Sequence, residues 1–353
     1  MSIDQRRWAA AIRRVQRAWV CAILAVCTTS PSGAQATSSL TRSPGDIVID
    51  SAGIPRNTSF SLTTAVASVQ KQYPSAEPAR TVVPPGVTVR TSVRYRTIGK
   101  RTLVMDICLP RATGPAPVPA VLLIHGGGWR SGDRSMELPM ALALAGNGYV
   151  TATVEYRLSP EATYPAAVLD LKAAIRWLRA HAQEYGIDTS HVAAYGCSSG
   201  GNLAALMGVT NGVAEYEDGD HLRCSSSVQA VIDIDGPLDI TIPEESGKDS
   251  IPSKPSAAKS WLGARYADAP DLWKKASPVT HLHAGMPPML FVNSVLPRFH
   301  AGRDAAVDTM MQHGIYHEVH TIPDTPHPFW LFTPWQPVVV GHITEFLGRV
   351  FRR

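Results

Sequence analysis

Gly196-Cys197-Ser198-Ser199-Gly200 follows a short apolar run and precedes an Ala-rich stretch. A serine between glycines at a strand-to-helix turn can be a nucleophile. The turn lifts its Oγ clear of the sheet, and the following helix offers free N–H groups and the positive end of its dipole. About 70 residues upstream, His125-Gly126-Gly127-Gly128-Trp129 closes another apolar run. Glycines there leave backbone amides uncovered, so Gly126, Gly127 and the N–H of Ser199 are candidate donors to an oxyanion. A histidine and a carboxylate would complete acyl-transfer chemistry.

His327 is the candidate base, five residues beyond Ile322 at the end of the last expected strand. The acid is open. The stretch after Met289–Asn293 reads Ser294-Val295-Leu296-Pro297-Arg298 and holds no carboxylate. Asp235, at the end of the Val228–Ile234 run, ranks first, then Asp304 and Asp324. Arg298 and Arg303, with Trp129 and Trp330, are candidate substrate contacts, as guanidinium donors to an anion and as stacking surfaces.

These residues need a scaffold that brings distant segments to one edge. Val87–Arg96 and Thr102–Cys108 alternate as a hairpin, while Ala120–Ile124 is continuously apolar, as in a strand buried on both faces. Strand patterns at 149–156, 191–196, 228–234, 289–293 and 317–322 alternate with helical ones at 138–145, 166–182, 202–209, 303–313 and 338–351. That alternation predicts an α/β fold, a mostly parallel central sheet flanked by helices on both faces.

His125–Trp129, Tyr156–Glu161 and Gly196–Gly200 together resemble the α/β-hydrolase superfamily, and more narrowly its hormone-sensitive-lipase-like and feruloyl-esterase-like carboxylesterases. The match runs from about residue 88 to 352. Pro297–Asp304 and Pro323–Trp330 are similar to a bacterial subgroup of pectin-associated esterases. The resemblance implies a serine esterase using an acyl-enzyme and no metal or organic cofactor. It also implies an esterified plant polysaccharide as substrate, or a small ester for a broad carboxylesterase. A binding protein without catalysis is the remaining alternative.

Of 353 residues, 44 % are apolar and 18 % charged, which excludes a wholly disordered chain. Residues 1–36 carry five arginines and one acid; the remaining 28 basic and 28 acidic residues balance, so charge gives no footprint for nucleic acid. Arg13–Arg17, the ten apolar residues Ala18–Cys27 and Ala34-Gln35-Ala36 have the layout of a cleaved signal peptide. The apolar run falls short of the roughly 20 residues of a membrane span, so export without stable membrane insertion is expected. Residues 37–85 read as a low-order leader, 86–353 as the catalytic domain, and the Pro- and Ser-rich 240–285 as a cap-like insertion. Cys108, Cys197 and Cys224 remain after cleavage, too few for a disulfide-held scaffold.

Overall fold

The computed structural model describes residues 46–352, apart from 52, 112, 113, 115 and 248–255. The expected signal peptide and its cysteines lie outside the described residues. Among the described residues no helix is long and apolar enough to cross a membrane.

The hairpin forms as β4 (Thr88–Ile98) and β5 (Arg101–Leu109), turning at Gly99-Lys100. The continuously apolar β6 (Val118–Ile124) follows, then α2 (Leu138–Gly146) and β7 (Val150–Val154). Next come α3 (Ala166–Ala180), β8 (Ile187–Cys197), α4 (Ser199–Val209) and β9 (Ala230–Ile234). The chain continues through β10 (Met289–Asn293), α5 (Arg303–Gln312) and β11 (His317–Thr321), and α6 (Trp335–Val350) closes it. These eight strands form one sheet in the order β11-β10-β9-β8-β6-β7-β5-β4. The pairs from β11 to β7 are parallel, and β5 is antiparallel to both β7 and β4. This is an α/β-hydrolase fold.

The pleat sorts the core. Ala120, Leu122 and Ile124 of β6 face one side with α3 and α4, while Val121 and Leu123 face the other with α2 and α6. Successive side chains of a strand point to opposite faces, so a strand covered on both sides must be apolar throughout. Because β6, β8, β9, β10 and β11 run parallel, their C-terminal ends share one edge, where ligands bind in open α/β sheets.

Two stretches differ from expectation. From residue 46 on, the expected leader is built into the fold. It holds a short hairpin, β1 (Ile47–Ile49) with β2 (Pro55–Asn57), the helix α1 (Leu62–Val69) and the short strand β3 (Glu77–Pro78). Ser61 caps α1 through the Thr64 amide, and Ala65, Val69 and Ala76 are buried against the α2 and α6 face of the core. Eight residues with two inward positions leave too little periodicity to read. Within 240–285, the short helices Ala257–Leu262 and Pro270–Lys275 bury Trp261 and Trp273 in the main core. Trp261 stacks flat on Trp129, with ring centroids 4.7 Å apart, and meets Tyr164 edge-on at 5.3 Å.

Trp261 therefore anchors the insertion to the core. Trp261→Ala should lower unfolding free energy by about 3–5 kcal/mol, measured by urea denaturation; a change under about 1 kcal/mol would show that the insertion is not docked there.

Candidate active site

Ser198 sits at the end of β8 with φ 53° and ψ −123°, a left-handed conformation that costs a non-glycine residue about 1–3 kcal/mol. The turn is held on both sides: Ser198 N–H donates to Ile234 O (2.8 Å), and Ser198 O accepts from Asn202 N–H (3.1 Å). Glycine is required beside it, since a Cβ on Gly196 would lie 1.9 Å from Gly200 O.

His327 Nε2 lies 2.9 Å from Ser198 Oγ, and His327 Nδ1 lies 3.0 Å from Asp235 Oδ2. A carboxylate can only accept from Nδ1–H, so Nε2 is left to accept from the serine hydroxyl. Asp235 is fully buried, and its Oδ1 accepts from the Ser294 amide at 2.7 Å. The stretch after β10 that lacks a carboxylate thus supplies an amide to one reaching over from β9. The imidazole is fixed by rings as well: Phe299 stacks on it at 3.6 Å and 3°, and Trp330 meets it edge-on at 5.2 Å. Burial pushes the His327 pKa below its ordinary value, with Asp235 opposing.

The glycine loop lies against the elbow. A Cβ on Gly126 would come within 2.9 Å of Cys197 O and 3.1 Å of Ser198 Cβ. His125 Nδ1–H donates to Gly126 O (2.8 Å), and Ser131 Oγ–H donates to Gly127 O (2.6 Å). In a trans peptide the N–H points opposite to the C=O. The N–H groups of Gly127 and Gly128 therefore turn away from those anchors. Ser199 begins α4, where the first N–H groups have no partner within the helix. His125 is buried, stacked on Tyr156, and organises the loop.

A cavity of about 250 Å³ opens beside Ser198 and His327, lined by Gly127, Gly128, Arg130, Ser131, Ala257, Arg298 and Phe299. Ser59 and Phe60, from the stretch expected to be a leader, form another wall. Phe299, Ser294, Ser59 and Phe60 were not among the sequence candidates. Phe299 adjoins a candidate arginine, but nothing local signals its stacking.

Several candidates fall elsewhere. The Asp304 side chain is 80 % exposed and pairs with Arg303 (2.8 Å) at the start of α5. Asp324 accepts from the Tyr73 hydroxyl (3.3 Å). Arg303 is also spent on Asn293 Oδ1 (3.1 Å) and does not line the cavity. Trp129 and Trp330 are core side chains, 3 % and 2 % exposed, rather than stacking platforms. Of the proposed substrate contacts, Arg298 lines the cavity. Cys108, Cys197 and Cys224 are free thiols.

Behind the elbow lies Glu137, 1 % exposed, at the start of α2. The Tyr195 hydroxyl donates to its Oε2 at 3.2 Å and the Cys197 thiol at 3.6 Å. Burial outweighs these donors and pushes its pKa up to about 7.

Comparison with known proteins gives concordant results. The BD-FAE family model matches residues 105–309. Esterase LipC of Mycobacterium tuberculosis is 29 % identical over 206 residues, 58 % of this chain and 49 % of LipC, so the chain spans about half the length of that relative. A truncated form of a carbohydrate esterase from gut microbiota superposes with a TM-score of 0.62 at 25 % identity, covering 78 % of this chain and 99 % of that one. Esterase Est2 of the planctomycete Thermogutta terrifontis, in its butyrate-bound form, gives 0.61 at 27 % identity, covering 75 % and 95 %.

The Glu137 carboxyl makes stability depend on pH. Its folded pKa of about 7 lies above the ordinary 4.5, so the native protein holds a proton that the unfolded chain releases. Stability from this group is fully present below pH 4.5, falls as pH rises toward 7, and is level above that. Relative to wild type, Glu137→Gln should gain about 3 kcal/mol between pH 4 and pH 8 in paired urea titrations. A difference independent of pH would mean that Glu137 is ionised throughout.

Proposed function

The chain belongs to the BD-FAE family, and from that premise we propose that it is a serine carboxylic-ester hydrolase working through an acyl-enzyme. The observation that carries the reading is the unbroken chain Ser198 Oγ, His327, Asp235, at 2.9 and 3.0 Å, open to a cavity at the sheet edge. Ser198 Oγ attacks the ester carbonyl carbon as its proton passes to His327 Nε2. Asp235 holds Nδ1–H and stabilises the imidazolium. The oxyanion sits on backbone N–H groups of the Gly126–Gly128 loop and of Ser199, each worth about 3–4 kcal/mol in such sites. His327 then gives its proton to the leaving alcohol. The ester carbon stays bonded to Ser198 until water, activated by the same imidazole, releases the acid and restores the serine.

The substrate is an esterified plant cell-wall polysaccharide bearing acetyl, methyl or feruloyl groups, met after export and removal of the signal peptide near Ala36. The similarity to a carbohydrate esterase and the export layout of residues 1–36 support this. A second reading is a carboxylesterase of broad range for small esters. It is favoured by the modest cavity, about 250 Å³, and by the likeness to an esterase known with butyrate bound.

The two separate by product. On acetylated and methylated pectin and on xylan, release of acetate, methanol or ferulate by wild type and not by Ser198→Ala would establish the polymer reading. Turnover of short aryl esters alone would leave the small-ester one. Turnover of neither would overturn the esterase assignment and favour a binding protein. Asp235→Asn should lower kcat by up to about 10⁴-fold, through loss of the required tautomer, whereas Asp304→Asn should leave it within about twofold. Because burial lowers the His327 pKa and the base must be neutral, kcat/KM should hold as pH falls to the ordinary imidazole value of about 6.5 and decline only below it.

A further inference from the structure

The cavity beside the nucleophile is walled by two guanidiniums, Arg130 and Arg298, and among the described residues lining it there is no carboxylate. The two arginines enter from different segments. Arg130 follows the glycine loop, its N–H donating to Gly127 O at 3.3 Å. Arg298 precedes Phe299, the ring stacked on His327, and its guanidinium lies over that ring at 5.1 Å.

Arg298 is also fixed from behind. Its Nε donates to Oε1 of Glu245, a carboxylate with a nearly fully buried side chain. That contact uses one edge of the fork, and among the described residues the two Nη groups take no protein acceptor. The side chain remains 39 % exposed and is among those lining the cavity. A pre-oriented guanidinium with free Nη donors, one ring away from the catalytic imidazole, suits a planar oxyanion more than a neutral hydroxyl. Burial lowers the pKa of Arg130, so its guanidinium is partly stripped of water.

We propose that Arg298 and Arg130 form a carboxylate subsite, and that the substrate is an ester carrying a carboxylate about one sugar ring from the scissile carbonyl. An acyl ester of a uronic acid unit has that chemistry. The proposal rests on the serine-esterase reading and narrows it. It also couples recognition to catalysis. Arg298 is among the charges that lower the His327 pKa, so a carboxylate bound to it makes the imidazole a stronger base in the complex.

The test compares 4-acetoxybenzoate with its neutral methyl ester, two acetyl esters of nearly equal size that differ by one charge. The readout is the ratio of their kcat/KM values, so general effects of a substitution cancel. Arg298→Gln should lower the ratio about 10- to 100-fold and Arg130→Gln by a smaller factor, the effect expected for losing a charge-assisted hydrogen bond. Since Arg298→Gln leaves Glu245 buried and unpaired, the double variant Arg298→Gln/Glu245→Gln provides the same test without that charge. In wild type the ratio should fall as salt is raised from 0.02 to 0.5 M, and the acidic limb of kcat should lie at higher pH for the carboxylate ester. A ratio unchanged by salt and by every folded variant would overturn the subsite and leave the esterase reading standing. Hydrolysis of neither ester by wild type would overturn the proposed substrate, and release of acetate, methanol or ferulate from the polymers would then keep the esterase reading.

Discussion

The site depends on a hydrogen-bond chain between residues far apart in sequence. His327 bonds to Ser198 across 129 positions and to Asp235 across 92. Closing such contacts is entropically costly for a flexible chain, and each bond returns only about 0.5–1.5 kcal/mol net. The chain of bonds therefore cannot hold the fold together; the fold must hold it. The adjacent parallel strands β8 and β9 do most of that work. Their pairing places Cys197 beside Ile234, so Ser198 and Asp235 leave the sheet side by side. Ser198 N–H on Ile234 O and Asp235 N–H on Val292 O lock both turns to the neighbouring strand.

What could be read from the sequence follows from how local each signal is. The elbow was legible because a strand, a glycine-flanked serine and a helix lie within a few residues and their constraints are steric. The inner strand β6 was legible because burial on two faces demands an unbroken apolar run, and the β4–β5 hairpin because its residues alternate. The choice among Asp235, Asp304 and Asp324 was not, because the acid is defined by sheet order and by the Ser294 amide, 59 positions away from Asp235. Trp129 and Trp330 show the same limit. A tryptophan in a glycine-rich or proline-rich loop can face solvent or core, and its partners, Trp261 for one and His327 for the other, come from remote segments.

The stretch expected to be a leader shows the opposite failure, in which weak local signal hides a structural role. α1 has only two buried residues, yet the segment around it reaches the site from two directions. Upstream, Ser59 and Phe60 wall the cavity. Downstream, the Tyr73 hydroxyl donates to Asp324, three residues before His327, where the chain takes a positive φ of 52°. Asp324 is therefore best understood as an anchor for the histidine loop. A carboxylate near the base in sequence is being used to shape the backbone that carries it.

That arrangement explains why the imidazole can be both exposed to substrate and rigid. Its Nδ1 edge is tied to Asp235, one ring face is covered by Phe299, and Trp330 closes another side. The loop beneath is braced by Tyr73. The Nε2 edge, facing Ser198, remains for proton transfer. Orientation is thus supplied mostly by apolar packing, which does not compete for the ring's two nitrogens. A cage of further polar groups would also have fixed the ring, but at the risk of shifting its tautomer. Phe299 serves twice, since the residue before it, Arg298, carries charge to the cavity wall along the same turn. Any substitution that moves this turn must disturb base orientation and substrate selection together, which makes the Pro297–His300 turn a shared determinant of rate and specificity.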